Sequence, residues 1–171
     1  MVALPPVRIR AASHRDRASI VDLGEEVFRP FGAYRKAITD WLATPGVHAF
    51  VAERNGRFCG ALIVAFTREE APGLWAELLA VEVLPADQGS GVGKALLAHL
   101  VDWLEDLHQR QPVRAVRLST ADDNDIAQAL FRQFGFEATG EHAGRYDGGQ
   151  VIVRMARSVG VDASRGPVTP G

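Results

Sequence analysis

Val81-Glu82-Val83-Leu84-Pro85-Ala86-Asp87-Gln88-Gly89-Ser90-Gly91-Val92-Gly93-Lys94-Ala95-Leu96-Leu97 is the stretch that decides the reading of this chain. An apolar strand stops at Pro85, alternate glycines follow at 89, 91 and 93, and an amphipathic helix begins at once. Glycine lets the backbone take φ > 0 and lets a ligand approach the main chain closely. The unpaired N–H groups of a helix's first turn then face that space, and the helix dipole favours an anion there. Lys94 places a cation where the dipole alone prefers a carboxylate, which makes sense if a phosphate supplies the negative charge. Two familiar phosphate motifs fail on the letters. A Walker A loop needs glycine at Gln88 and Ser or Thr at Ala95, and a dinucleotide G-x-G-x-x-G needs glycine at Lys94 or Leu96.

Outward from this turn, the elements come in a clear order. Val7–Arg10 alternates as a half-buried strand, and Ser13 offers a cap for a helix whose stripe ends before Pro30. A short helix over Tyr34–Ala43 stops at Thr44-Pro45-Gly46. Strands His48–Glu53 and Arg57–Thr67 flank Asn55-Gly56, a strong hairpin signal. A strand over Leu74–Leu84, the helix after the glycines, a strand Val113–Ser119, a helix Ile126–Phe134 and strands Phe136–Thr139 and Val151–Ala156 complete the series. The order β-α-α-β-β-β-α-β-α-β-β predicts an α/β (α+β) fold with one mixed sheet, antiparallel first and partly parallel around the long helix.

Composition fits one domain. The chain has 171 residues, 47% apolar and 23% charged, with formal net charge -2, so neither nucleic acid nor an anionic membrane is the expected partner. No apolar run reaches the roughly 20 residues of a membrane helix. The N-terminus lacks the basic-then-apolar order of a signal peptide, so a cytoplasmic protein is expected. The lone Cys59 sits in an apolar run and reads as core. The histidines show no metal-ligand spacing, and no metal is expected. Residues 1–157 read as the domain and 158–171, aperiodic and rich in Gly, Pro and Ser, as a disordered tail.

The segment resembles the GNAT N-acetyltransferase superfamily. Gln88, Gly91 and Gly93 match its Q/R-x-x-G-x-G/A signature, after a strand ending in Val83 and Pro85. Asn124, Ala127, Leu130, Phe131, Gly135 and Phe136 match a second block, and the similarity spans about residues 7–157. The resemblance implies a GNAT-like acyl-CoA N-acyltransferase fold, splayed between the strands at Val83 and Leu118. It implies an acetyl-CoA cosubstrate: pantetheine along the main chain of Val81, Glu82 and Val83, and pyrophosphate on Gly89, Ser90, Gly91, Val92, Gly93 and Lys94. Asn124 would bond the pantetheine and Phe131 would pack near the thioester. The acceptor would be a small-molecule or peptide amine under the segment Phe28–Trp41, and a homodimer is open.

Amine acylation requires a neutral nucleophile. Glu77, in the apolar strand Leu74–Leu79 and at the interval from Gln88 found in the histone-acetylating branch, is the expected base. Glu82, at odd spacing from it, is expected on the opposite face. Many members carry tyrosine, the acid for the leaving thiolate, where this chain has Phe131, and the ribosomal-protein branch carries Glu at Ser119. Tyr146, in the loop 144–149, is the candidate replacement acid. The Asp122–Asp125 cluster reads as helix capping. Direct attack in a ternary complex is the expected mechanism; a weak acyl-CoA-binding module or transfer of a longer acyl group are the alternatives.

Overall fold

The computed structural model describes residues 2–69 and 73–160. Thirteen segments follow in order: β1 (Arg8–Ala11), a 3-10 turn (His14–Asp16), α1 (Arg17–Phe28), α2 (Arg35–Ala43), β2 (His48–Arg54), β3 (Arg57–Arg68), β4 (Leu74–Val83), a 3-10 turn (Pro85–Asp87), α3 (Val92–His108), β5 (Val113–Ala121), α4 (Asp125–Gln133), β6 (Glu137–Ala138) and β7 (Ile152–Ser158). The predicted order holds throughout. The strand expected over Phe136–Thr139 shrinks to Glu137–Ala138, because Phe136 turns inward and packs on Phe131 at 5.9 Å between ring centroids.

The strands form one sheet in the order β1-β2-β3-β4-β5-β7-β6, antiparallel except where β4 and β5 run parallel. Asn55 and Gly56 both take positive φ at the β2–β3 hairpin, as that turn demands. On one face α3 lays Leu96, Leu97, Leu100 and Leu104 over Leu62, Val64, Leu78 and Val116. On the other, α1 and α2 bury Ile20, Val21 and Ile38 against Val51, Ala61, Ile63 and Ala80. Cys59 is core, its thiol donating to Ala52 O at 3.3 Å and its pKa pushed up by burial. The tail boundary moves outward: Ser158 ends β7, and Val159 is buried with its N–H on Arg114 O at 2.9 Å, because an apolar side chain there completes the core. The rest of the expected tail, 161–171, lies outside the described residues. No described helix is long and apolar enough to cross a membrane.

A bulge in β4 sets the orientation of everything downstream. Pairing with β3 jumps from Val64↔Leu78 to Ile63↔Ala80, leaving Leu79 as the extra residue. Ala76 and Leu78 face α3 before the bulge, and Val81 and Val83 face it after. Glu77 and Glu82 therefore lie on the same face, contrary to the simple alternation expected. Glu82 is 1% exposed and points at Gly24 of α1, where a methyl group would lie 2.6 Å from its Oε2. Neither carboxyl oxygen has a hydrogen-bond partner, and desolvation raises its pKa to about 9.

The folded chain thus holds one more proton than the unfolded chain between pH 4.5 and about 9, the unfolded and folded pKa values of Glu82. Its contribution is most favourable below that window and is lost as pH rises through it, by about 1.4 kcal/mol per pH unit. Replacement Glu82→Leu is expected to stabilise the chain at neutral pH and to flatten this slope in denaturant titrations between pH 5 and 9. A wild-type-minus-variant difference independent of pH would contradict the neutral buried acid.

Candidate active site

The sheet opens in its middle. Parallel pairing of β4 and β5 runs from Leu74↔Val113 to Leu78↔Leu118 and stops, so Leu79–Val83 and Ser119–Ala121 face each other unpaired. Strand edges carry hydrogen-bonding groups that need partners. The opening is lined by Leu79, Ala80 and Val81 of β4, Ser119, Thr120 and Ala121 of β5, Asn124, Ala127 and Phe131 around α4, and the aromatic rings of Phe28, Phe31, Tyr34 and Tyr146. A separate groove of about 540 Å³ lies between the glycine turn and α4, lined by Val83, Gln88, Gly89, Gly91, Gly93, Lys94, Ile126, Ala129, Leu130 and Gln133.

The glycine turn is built as the letters suggested. Gly89 and Gly91 take φ of 75° and 91°, and Gly91 caps α3. The N–H groups of Gly89, Gly91, Val92, Gly93 and Lys94 find no acceptor among the described residues, and the first helical bond of α3 runs from Ala95 N to Gly91 O at 3.0 Å. Gly93 also lets α4 approach: a methyl group there would meet Leu130 at 3.1 Å. These donors and Lys94 suit a diphosphate, and the unpaired β4 edge suits an extended chain carrying amides. The residues present therefore fit coenzyme A.

Two of the residues expected at the cofactor aim their side chains away from the opening. Ser90 turns inward: its N–H and hydroxyl both donate to Asp87 O, at 3.3 and 2.5 Å, so its own donors are spent. Glu82 points its side chain into the α1–α2 core rather than the opening, the bulge having flipped it. Gln88 lines the groove and donates to Val83 O at 3.3 Å, tying the turn back to β4. Asn124 and Phe131 both line the opening, but Asn124 Oδ1 already accepts Ala127 N at 3.2 Å as the cap of α4. Ile126, 87% exposed, and Ala129 form an apolar shelf in the groove that helical periodicity alone gave no reason to single out.

Glu77, the expected base, is paired away from the opening. Its carboxylate accepts Arg117 Nε in an ion pair, Arg117 reaches on to Glu69 at 2.5 Å, and Glu77 does not line the opening. Parallel register sets Glu77 beside Arg117, and an arginine at that station satisfies the acid locally. Tyr146 lines the opening. Its loop is anchored across the mouth by Gly148 N on Phe31 O at 3.3 Å and Gln150 Nε2 on Pro30 O at 3.1 Å. Val151 N on Asp122 Oδ1 at 2.8 Å holds the loop's other end, so Asp122 ties down this loop while Asn124 caps α4. The Tyr146 ring packs on Phe31 at 5.4 Å, and burial pushes its hydroxyl up to about 12, so it keeps its proton at neutral pH. Burial, reinforced by Asp147, likewise raises Tyr34.

A mixed sheet that parts beside a glycine turn, with free amides at the head of the next helix, has the architecture of an acyltransferase. Residues 17–136 match the model of the "Acetyltransferase (GNAT) family", and the chain belongs to that family of N-acetyltransferases. It is 29% identical over 140 residues to the N-alpha-acetyltransferase RimI of Mycobacterium tuberculosis, covering 79% of this chain and 81% of that protein. Its fold is similar to the ribosomal-protein-S18-alanine N-acetyltransferase of Escherichia coli, with TM-score 0.76 and 22% identity over 95% of this chain and 100% of the other. It is also similar to Arabidopsis thaliana NAA60 in complex with acetyl-CoA, with TM-score 0.75 and 15% identity over 90% of this chain and 99% of that one.

Substitution Gly91→Val puts a branched side chain at a left-handed φ and into the cradle, a strain of roughly 1–2 kcal/mol. Calorimetric titration with coenzyme A is expected to show binding weakened at least tenfold, with the circular dichroism of the fold retained. Unaltered affinity would remove the turn from the binding site.

Proposed function

We propose that this chain is an acetyl-CoA-dependent N-acetyltransferase that acts by direct attack of an amine in a ternary complex, and that its acceptor is an α-amine. The parting of β4 from β5 beside free turn amides carries this reading. Bound acetyl-CoA supplies the thioester. The amides of Gly89 and of Gly91 to Lys94 hold its diphosphate, and the edge of β4 at Val81 and Val83 aligns its amide-bearing arm. Phe131 and Ala127 close the floor, excluding water from the thioester.

The acceptor enters from the side of Phe28, Phe31, Tyr34 and Tyr146. Among the described residues, no side chain lining the opening is a carboxylate, imidazole or ammonium. Such a site favours an amine that sheds its proton unaided. An α-amine, with pKa near 7.7–8.0, presents its neutral form roughly 300-fold more often at neutral pH than a lysine, with pKa near 10.4. The name of the Mycobacterium tuberculosis relative, an N-alpha-acetyltransferase, agrees. Tyr146, whose ring packs on Phe31 in the lining of the opening, serves as the acid for the departing thiolate, taking the part that Phe131 cannot.

With a panel of peptides and acetyl-CoA, kcat/KM is expected to rise with pH along the acceptor's own amine titration. Peptides with a free N-terminus should exceed N-terminally blocked, lysine-containing ones by about two orders of magnitude. Equal rates would reject the α-amine reading. Replacement Tyr146→Phe is expected to lower kcat by about 10²-fold with little change in KM for acetyl-CoA, and an unaltered kcat would assign thiolate protonation to water.

A further inference from the structure

Behind the glycine turn, on the side away from the groove, lies a charged cluster that the family signature does not contain. Arg54, the last residue of β2, is 8% exposed and turns both terminal nitrogens of its guanidinium onto the turn. Nε donates to Pro5 O at 3.0 Å, Nη1 to Ser90 Oγ at 2.9 Å and Nη2 to Ser90 O at 2.9 Å. Asp87, 5% exposed, sits beside it with Oδ1 accepting Arg57 Nη2 at 2.9 Å and lying 3.5 Å from Arg54 Nη1. Asp87 O in turn accepts both Ser90 donors.

The consequence lies in the peptide plane between Ser90 and Gly91. In a trans peptide the C=O of one residue and the N–H of the next point in opposite directions. Arg54 draws the Ser90 carbonyl inward, so the Gly91 N–H must point outward, into the groove. Left-handed φ at Gly89 and Gly91 is what allows the chain to bend around that plane. Two arginines and one carboxylate also leave a net positive charge just behind the amides, held without touching the ligand.

We propose that Arg54, Asp87 and Arg57 form a latch that presets the turn, making them positioning residues for the diphosphate of the donor; this builds on the acetyl-CoA reading above. The latch orders the Gly91 amide before the donor arrives, so the donor does not meet the cost of ordering it. Its removal affects only donors that carry a diphosphate.

The test compares acetyl-CoA with acetyl-pantetheine, which lacks the diphosphate and nucleotide, in the full chain. Arg54→Lys keeps a cation but loses the fork on Ser90, and Asp87→Asn loosens both arginines. Each is expected to raise KM for acetyl-CoA about tenfold and to cut the preference for acetyl-CoA over acetyl-pantetheine by the same factor. Ser90→Ala, which deletes the hydroxyl's contacts with Arg54 and Asp87 O but leaves both charges in place, should move the preference in the same direction by a smaller factor if either charge variant fails to fold. Variants with the wild-type donor preference, or with equal losses on both donors, overturn the latch. A wild-type chain that binds no coenzyme A by calorimetry overturns the donor reading itself and the latch with it.

Discussion

The constraint on which the molecule depends is the early end of pairing between its two parallel strands. Leu78↔Leu118 is the last pair, and beyond it β4 and β5 leave backbone groups facing an opening in the middle of a seven-stranded sheet. An interior break of this kind is unfavourable unless something with amides fills it, because backbone donors and acceptors carry a desolvation cost when left unpaired. The remaining sheet is strong enough to hold the break open. Antiparallel pairing runs the length of β2, β3 and β4 on one side and of β5 and β7 on the other, and α3 crosses beneath with its buried leucines.

The bulge at Leu79 and the glycine turn then divide the labour around that opening. The bulge rotates β4 by one residue, so Val81 and Val83 line the opening and the groove while Glu82 is driven into the α1–α2 layer as a neutral acid. The turn supplies anion donors from the main chain rather than from side chains. Main-chain amides need no rotamer freezing on binding, but they must be aimed, and the Arg54–Asp87–Ser90 contacts supply the aim from behind. On the acceptor side, the linker after α1 and the loop at Tyr146 are stitched together, which brings two chain segments more than a hundred residues apart into one aromatic mouth.

The acid–base chemistry follows from which titratable groups the fold admits to that mouth. Glu77 is paired with Arg117 outside it, Glu82 is sealed away from it, and the phenols of Tyr34 and Tyr146 are left lining it. Such a site suits a substrate that provides its own free base.

By themselves the letters determined what is local or periodic. Element order, the Asn55-Gly56 hairpin, the α3 stripe and the glycine turn all follow from spacing within a dozen residues, where backbone preference and hydrophobic phase act directly. Side-chain direction past Leu79 was decided only by the tertiary structure, since one extra residue in a strand reverses every later position and no nearby letter marks it. The same holds for Ser90, turned inward by Arg54 thirty-six residues away, and for Glu77, claimed by an arginine forty residues on. Val159 likewise leaves an otherwise polar, glycine-rich stretch to fill the core. In each case the deciding partner comes from a distant strand, and register across the sheet, rather than any pattern along the chain, brings it into contact.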